Sequence, residues 1–174
     1  MADTAKPLWF LDIDGVVNAL RPRDGLSATK ARTSGETWPI HWSAEVVQLI
    51  NTCHRSGLAE VRWLTTWEQD AHLSLAPAVG LDPFPSYDIP SGSSRHGWWK
   101  ADVVADVIGA ERRPFVWTDD DLAVEDVAEM VDRLGVDHLL VAPDPDLGLT
   151  SADLRSVVDF LSRFAPARPS GQAS

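Results

Sequence analysis

Leu8-Trp-Phe-Leu-Asp-Ile-Asp-Gly-Val-Val17 sets four consecutive apolar residues directly before two aspartates and a glycine. A wholly apolar run of this length, closed by acidic and turn residues, reads as a strand buried on both faces, as in a parallel sheet. Residues two apart in extended chain point the same way, so Asp12 and Asp14 are expected to project into one site with Ile13 packed behind them. Gly15 lets the backbone turn sharply after them. Two carboxylates this close repel unless a cation or shared proton compensates, so the pair implies a metal, and hard oxygen ligands suit Mg²⁺. The alternative is a turn with solvated aspartates.

Working outward, Val61–Leu64, Phe115–Trp117 and His138–Val141 are further short apolar runs and read as strands, with a weaker one near Ser86–Ile89. Amphipathic stretches separate them. Ser43 is a candidate N-cap for a helix carrying Val46, Val47, Leu49, Ile50 and Cys53, ended by Gly57. A second helix is expected from Trp99 to Ile108 with Gly109 as its stop, and a third carries Val127, Met130, Val131 and Leu134 before Gly135. The last follows Thr150-Ser-Ala-Asp153, which resembles a capping box. Strands alternating with helices imply right-handed crossovers. The expected fold class is α/β: a three-layer Rossmann-like sandwich around a mostly parallel five-stranded sheet. One domain spans 7–164, between disordered ends at 1–6 and 165–174.

In such sheets ligands bind beyond the carboxyl ends of the strands, so the residues after each strand carry the chemistry. Thr65 and Thr66 end the second strand, where a hydroxyl can donate to a phosphoryl oxygen. Lys100 is one of only three lysines beside twelve arginines. Its place at a helix start suggests a point charge for phosphate, or else a surface lysine next to Trp98 and Trp99. Asp119, Asp120 and Asp121 follow the fourth strand and exceed what helix capping needs, so one of them can reach a metal. A second Asp-x-Asp, Asp144 and Asp146, is fixed by flanking prolines and reads as structural.

Composition narrows the partners. A net charge of −11 argues against generic nucleic-acid or anionic-membrane binding, because phosphate backbones are held by excess Lys and Arg. No apolar run approaches a membrane span, and the first residues lack the pattern of a secretory signal. One cysteine excludes a disulfide framework, and the expected compartment is the cytoplasm. The five histidines show no zinc-ligand spacing.

As a set, Asp12-x-Asp14-Gly-Val, Thr65, Lys100 and Asp119-Asp120 resemble the four motifs of the haloacid-dehalogenase-like superfamily, in order. More narrowly, Trp63 to Ala71, Trp99-Lys100, Val116 to Asp120 and Pro143 to Thr150 look like a subfamily of compact bacterial proteins. That subfamily is related to domains of multidomain RNA-repair proteins. The resemblance implies a magnesium-dependent phosphomonoester hydrolase. Asp12 would be the nucleophile, forming an aspartyl-phosphate, and Asp14 the acid and base. It implies Mg²⁺ held by the Asp12 carboxylate, the Asp14 carbonyl and Asp119, with Asp120 assisting, while Thr65 and Lys100 stabilise the phosphoryl group. An acid/base aspartate at position 14 points away from dehalogenation. Phosphoryl transfer to another acceptor stays open, and so does a non-catalytic phosphate-binding module.

The resemblance also implies that a cap domain could follow the first or second motif. The segment 19–42 suits only a small flap, and 68–98 leaves little spare chain, so no large cap is expected. Arg21 and Arg23 in the flap are candidates to attract an anionic substrate. Of eight tryptophans, Trp9, Trp63 and Trp117 read as core, whereas Trp38, Trp42, Trp67, Trp98 and Trp99 fall in connections where an aromatic wall could form. The expected partner is a small phosphorylated substrate (a nucleotide or sugar phosphate) or a phosphorylated nucleic-acid end.

Overall fold

The computed structural model describes residues 6–122 and 125–165. The ends expected to be disordered lie outside the described residues except for Lys6 and Ala165. Four strands, β1 (Leu8–Leu11), β4 (Glu60–Trp63), β5 (Phe115–Thr118) and β6 (His138–Val141), form one parallel sheet in the order β4-β1-β5-β6. The four apolar residues of β1 are fully buried at its centre, with Leu8 in register with both Glu60 and Phe115. The chain first builds outward from β1 to β4, then crosses back to β5 and β6, so the switch point lies at the carboxyl end of β1.

The period-two alternation of β1 divides the core. Trp9 and Leu11 pack in one cluster with α1 (Ala44–Arg55) and α5 (Ser151–Ser162). Leu8 and Phe10 pack in the other with α3 (Trp99–Glu111) and α4 (Glu125–Arg133). A buried side chain of this size contributes roughly 1.5–3 kcal/mol. Among the described residues, no helix is long and apolar enough to cross a membrane.

Local signals explain most boundaries. The Ser43 hydroxyl accepts the N–H of Val46 at the start of α1, and Thr150 and Asp153 close a reciprocal capping box on α5. Two expectations need correction. The sheet has four strands rather than five; the segment near Ser86 contributes a single parallel bridge to Trp63, between Pro83 and Pro85 on one side and Pro90 on the other. Prolines lack the N–H that would extend such a ladder. Gly109 lies inside α3, which continues to Glu111 and ends where Arg112 adopts a left-handed φ of 52°. The Arg112 guanidinium holds that end by donating to the carbonyl of Leu134. The 19–42 segment contains an antiparallel hairpin, β2 (Ser27–Thr33) with β3 (Glu36–Trp42). Its two-residue turn, Ser34-Gly35, has positive φ at both positions, as tight hairpins favour. After β4 the chain forms a π-helical turn (Ala71–Leu75) running into α2 (Ala76–Val79).

Candidate functional site

The sheet ladder continues one step past the strands and delivers the acids. The N–H of Asp12 donates to Thr118, and that of Asp119 donates to Val141. Asp12 is buried, and Asp119 has no solvent exposure at all. Lys100, in the first turn of α3, places its ammonium 2.8 Å from Asp12 and 2.6 Å from Asp119. Its approach is fixed from behind. Asp102 accepts the N–H groups of Arg95 and His96, tying the preceding loop to the start of α3. Trp98 stacks on Trp117 with ring centroids 5.2 Å apart and covers the Lys100 ammonium at 5.5 Å.

One buried ammonium does not balance the carboxylates around it. Oxygens of Asp12, Asp119 and Asp120 lie within 4.8 Å of one another. Burial raises the Asp119 pKa to about 7, reinforced by the charge of Asp12 and opposed by Lys100. Burial likewise raises Asp12 against the pull of Lys100, and raises Asp120 with help from Asp121 and Asp12. For Lys100 itself, burial favours the neutral form, but the two carboxylates outweigh it and its pKa rises. Three carboxylates opposed by one ammonium could hold a divalent cation through hard oxygen donors. Gly15 makes the arrangement possible. It has a φ of +71°, and a Cβ there would lie 2.5 Å from the carboxyl carbon of Asp120.

Asp14 lies past the end of the strand. The strand ends at Leu11, and residues 13–18 curl so that the N–H groups of Val16 and Asn18 both donate to Ile13. The alternation that would align Asp14 with Asp12 therefore stops short. Its carboxylate stands outside the three-acid cluster and accepts hydrogen bonds from Asn18 Nδ2 at 2.9 Å and from the Trp67 indole at 2.8 Å. Asn18 also accepts the N–H of His41, fastening this turn to the hairpin. Nothing in the sequence reading singled out Asn18, because its role depends on a partner 23 residues away.

Thr65 is buried, its hydroxyl accepts the N–H of Trp67, and its nearness opposes the rise that burial imposes on the Asp12 pKa. Thr66 is exposed and faces a pocket of about 480 Å³ between the hairpin and the turn after β4. Asp14, Trp38 and Trp67 line it, whereas Asp12, Thr65, Lys100 and Asp119 do not. Compared with protein-family models, curated proteins and solved structures, the chain finds no match.

The remaining candidates separate by place. Arg21 pairs with Asp146 at 2.8 Å, and Arg23 donates to the carbonyl of Leu147. Both arginines are fastened to the loop between β6 and α5, and neither lines the pocket. Asp144 accepts the N–H of Asp146 within that loop, so the second Asp-x-Asp organises a turn. Trp42 packs against the core below the hairpin, and Trp98 and Trp99 pack against α3's side of the sheet. Of the tryptophans placed in connections, only Trp38 and Trp67 reach the pocket.

Proposed function

We propose that this protein is a Mg²⁺-dependent phosphomonoester hydrolase working through an aspartyl-phosphate on Asp12. The reading takes its four-stranded sheet, with helices packed on both faces, as a Rossmann-like sandwich of the haloacid-dehalogenase kind. One observation carries it. Lys100 bridges Asp12 and Asp119 at the switch point, with Asp120 alongside and the separately held Asp14 opening onto a pocket. Three carboxylates beside one ammonium leave negative charge that a divalent ion with hard oxygen ligands would neutralise.

In this mechanism Asp12, Asp119 and Asp120 would hold Mg²⁺, which supplies positive charge to the carboxylates and to the oxygens of the phosphoryl group. An Asp12 oxygen attacks phosphorus and the bond to the leaving oxygen breaks. Asp14 protonates that oxygen, and its two hydrogen bonds keep the carboxyl aimed toward the pocket where the leaving group lies. Asp14 then takes a proton from water, which attacks phosphorus and frees Asp12. Lys100 and the Thr65 hydroxyl hold Asp12 in position and oppose the negative charge gathered around it.

Phenyl phosphate turnover with Mg²⁺ and with excess chelator tests this directly. Activity should require the metal, vanish in Asp12→Asn, and fall at least about a hundredfold in Asp14→Asn. Full activity in Asp12→Asn would defeat the proposal.

A further inference from the structure

We infer that the pocket beside Asp14 takes an uncharged or cationic aromatic ring on the alcohol side of the phosphoester, and rejects leaving groups bearing a second anion. The inference rests on the hydrolase reading above and names its substrate class. Its first ground is surface chemistry. Leu20 and Trp38 are 51% and 49% exposed, among the most exposed large apolar side chains of the described residues, and both line this one pocket. Apolar side chains left in water around a concave site mark a place where a ligand removes them from it. Pro39 and Trp67 extend the same wall. The Trp67 indole is buried and tied to Asp14, so the pocket's floor is anchored to the acid that would protonate the leaving group, while the exposed Trp38 ring offers the stacking face.

Charge supplies the second ground. None of the described residues lining the pocket is Lys or Arg; His41 is the one basic residue there, beside the acids Asp14 and Glu36. Past Ser34 and Trp67 the cleft runs on into a space of about 310 Å³ bounded by Glu68, Asp70 and Asp88. The hydrogen-bond donors to these three are neutral: the N–H of Ile89, the N–H of Ser34 and the Gln69 amide. Among the described residues none of the three pairs with Lys or Arg, so their negative charge is uncompensated. A leaving group carrying its own phosphate or carboxylate would enter a like-charged cleft. The phosphodiester next to a nucleic-acid end would do so too, so a phosphomonoester of a single aromatic alcohol or nucleoside is the better fit.

Steady-state kinetics of the full chain with Mg²⁺ on benzyl, 4-aminomethylbenzyl, 4-carboxybenzyl and ethyl phosphates tests this. The four leaving alcohols have similar acidity, so differences report on the pocket. A 5′-phosphorylated oligonucleotide completes the panel. We expect kcat/KM for benzyl phosphate to exceed that for ethyl phosphate by roughly fivefold or more. The 4-carboxy compound should lose about tenfold against benzyl phosphate and the 4-aminomethyl compound should not. Trp38→Ala should collapse the benzyl-to-ethyl ratio through KM, and Glu36→Gln should narrow the gap to the carboxylate. Equal or better use of the carboxylate or the oligonucleotide overturns the inference while leaving the hydrolase reading intact. If no ester turns over, the hydrolase reading fails by itself and the pocket is read by quenching of tryptophan fluorescence. Quenching by benzyl alcohol over 4-carboxybenzyl alcohol, lost in Trp38→Ala, supports the pocket's preference; no such preference overturns it.

Discussion

The indole N–H of Trp67 lies 2.8 Å from a carboxylate oxygen of Asp14, joining the turn after β4 to the turn after β1. Trp67→Phe keeps most of the ring and removes that donor. The phenylalanine variant should fold normally, lose roughly tenfold in kcat on phenyl phosphate, and change KM by less than about threefold. Comparing pre-steady-state labelling of Asp12 with turnover would locate the loss at the steps that Asp14 serves.

Lys100 is the cation that makes the buried acids tolerable. Replacing it by Met leaves Asp12 and Asp119 buried without a partner, which costs about 3–5 kcal/mol in the absence of metal. Urea unfolding with and without Mg²⁺ should show the variant regaining part of that loss when the ion is present. An equal loss in both conditions would count against a metal at this cluster.

The raised pKa of Asp119, near 7, gives a signed pH effect. Its unfolded value is about 3.9, so between roughly pH 4 and pH 7 the metal-free native state binds more protons than the unfolded chain. Stability of the metal-free protein should therefore fall as pH rises through that window and level off above it. Mg²⁺ binding should expel a proton, most strongly below pH 7 and little above pH 8. Isothermal titration in buffers of different ionisation enthalpy measures that proton directly.

Gly15→Ala would place a methyl 2.5 Å from the Asp120 carboxyl while the backbone keeps a φ of +71°. The left-handed strain costs about 1–2 kcal/mol of stability. The larger consequence is at the cluster, because the Asp120 side chain must shift from its place beside Asp12 and Asp119. Mg²⁺ affinity should drop at least about tenfold, measured by calorimetry on a variant that still unfolds cooperatively.

Arg21→Ala with Arg23→Ala should leave KM for phenyl phosphate within about twofold. Both side chains are spent on the β6–α5 loop, and an ion pair as exposed as Arg21 with Asp146 contributes under about 1 kcal/mol.

Sequence periodicity resolves those parts of the molecule whose partners are near in the chain. The bounds of β1 and β6, the Ser43 cap and the Thr150 box follow from adjacent residues. The hairpin is harder to see because β2 is polar on nearly every residue, so no alternation marks a buried face. Its one local signal is Ser34-Gly35, a turn dipeptide that could have revealed it. Site residues divide in the same way. Asp12, Lys100 and Asp119 are found because strand ends and a helix start position them. Arg21 and Arg23 mislead because their partners lie more than 120 residues on.

The loop between β6 and α5 has a consequence for how the protein is made. Leu149 donates to the carbonyl of Val16, Leu20 donates to Pro145, and a Cβ on Gly148 would collide with that Val16 carbonyl at 2.7 Å. The turn behind Asp12 and Asp14 is thus braced by residues made long after it. Because β1 also pairs with β5, an emerging chain holds its acidic segment without either support until β5 and this loop have been made. Maturation of the centre should wait for this loop, so a chain stalled before Asp144 would carry every cluster acid and yet lack the brace on the turn that follows Asp12.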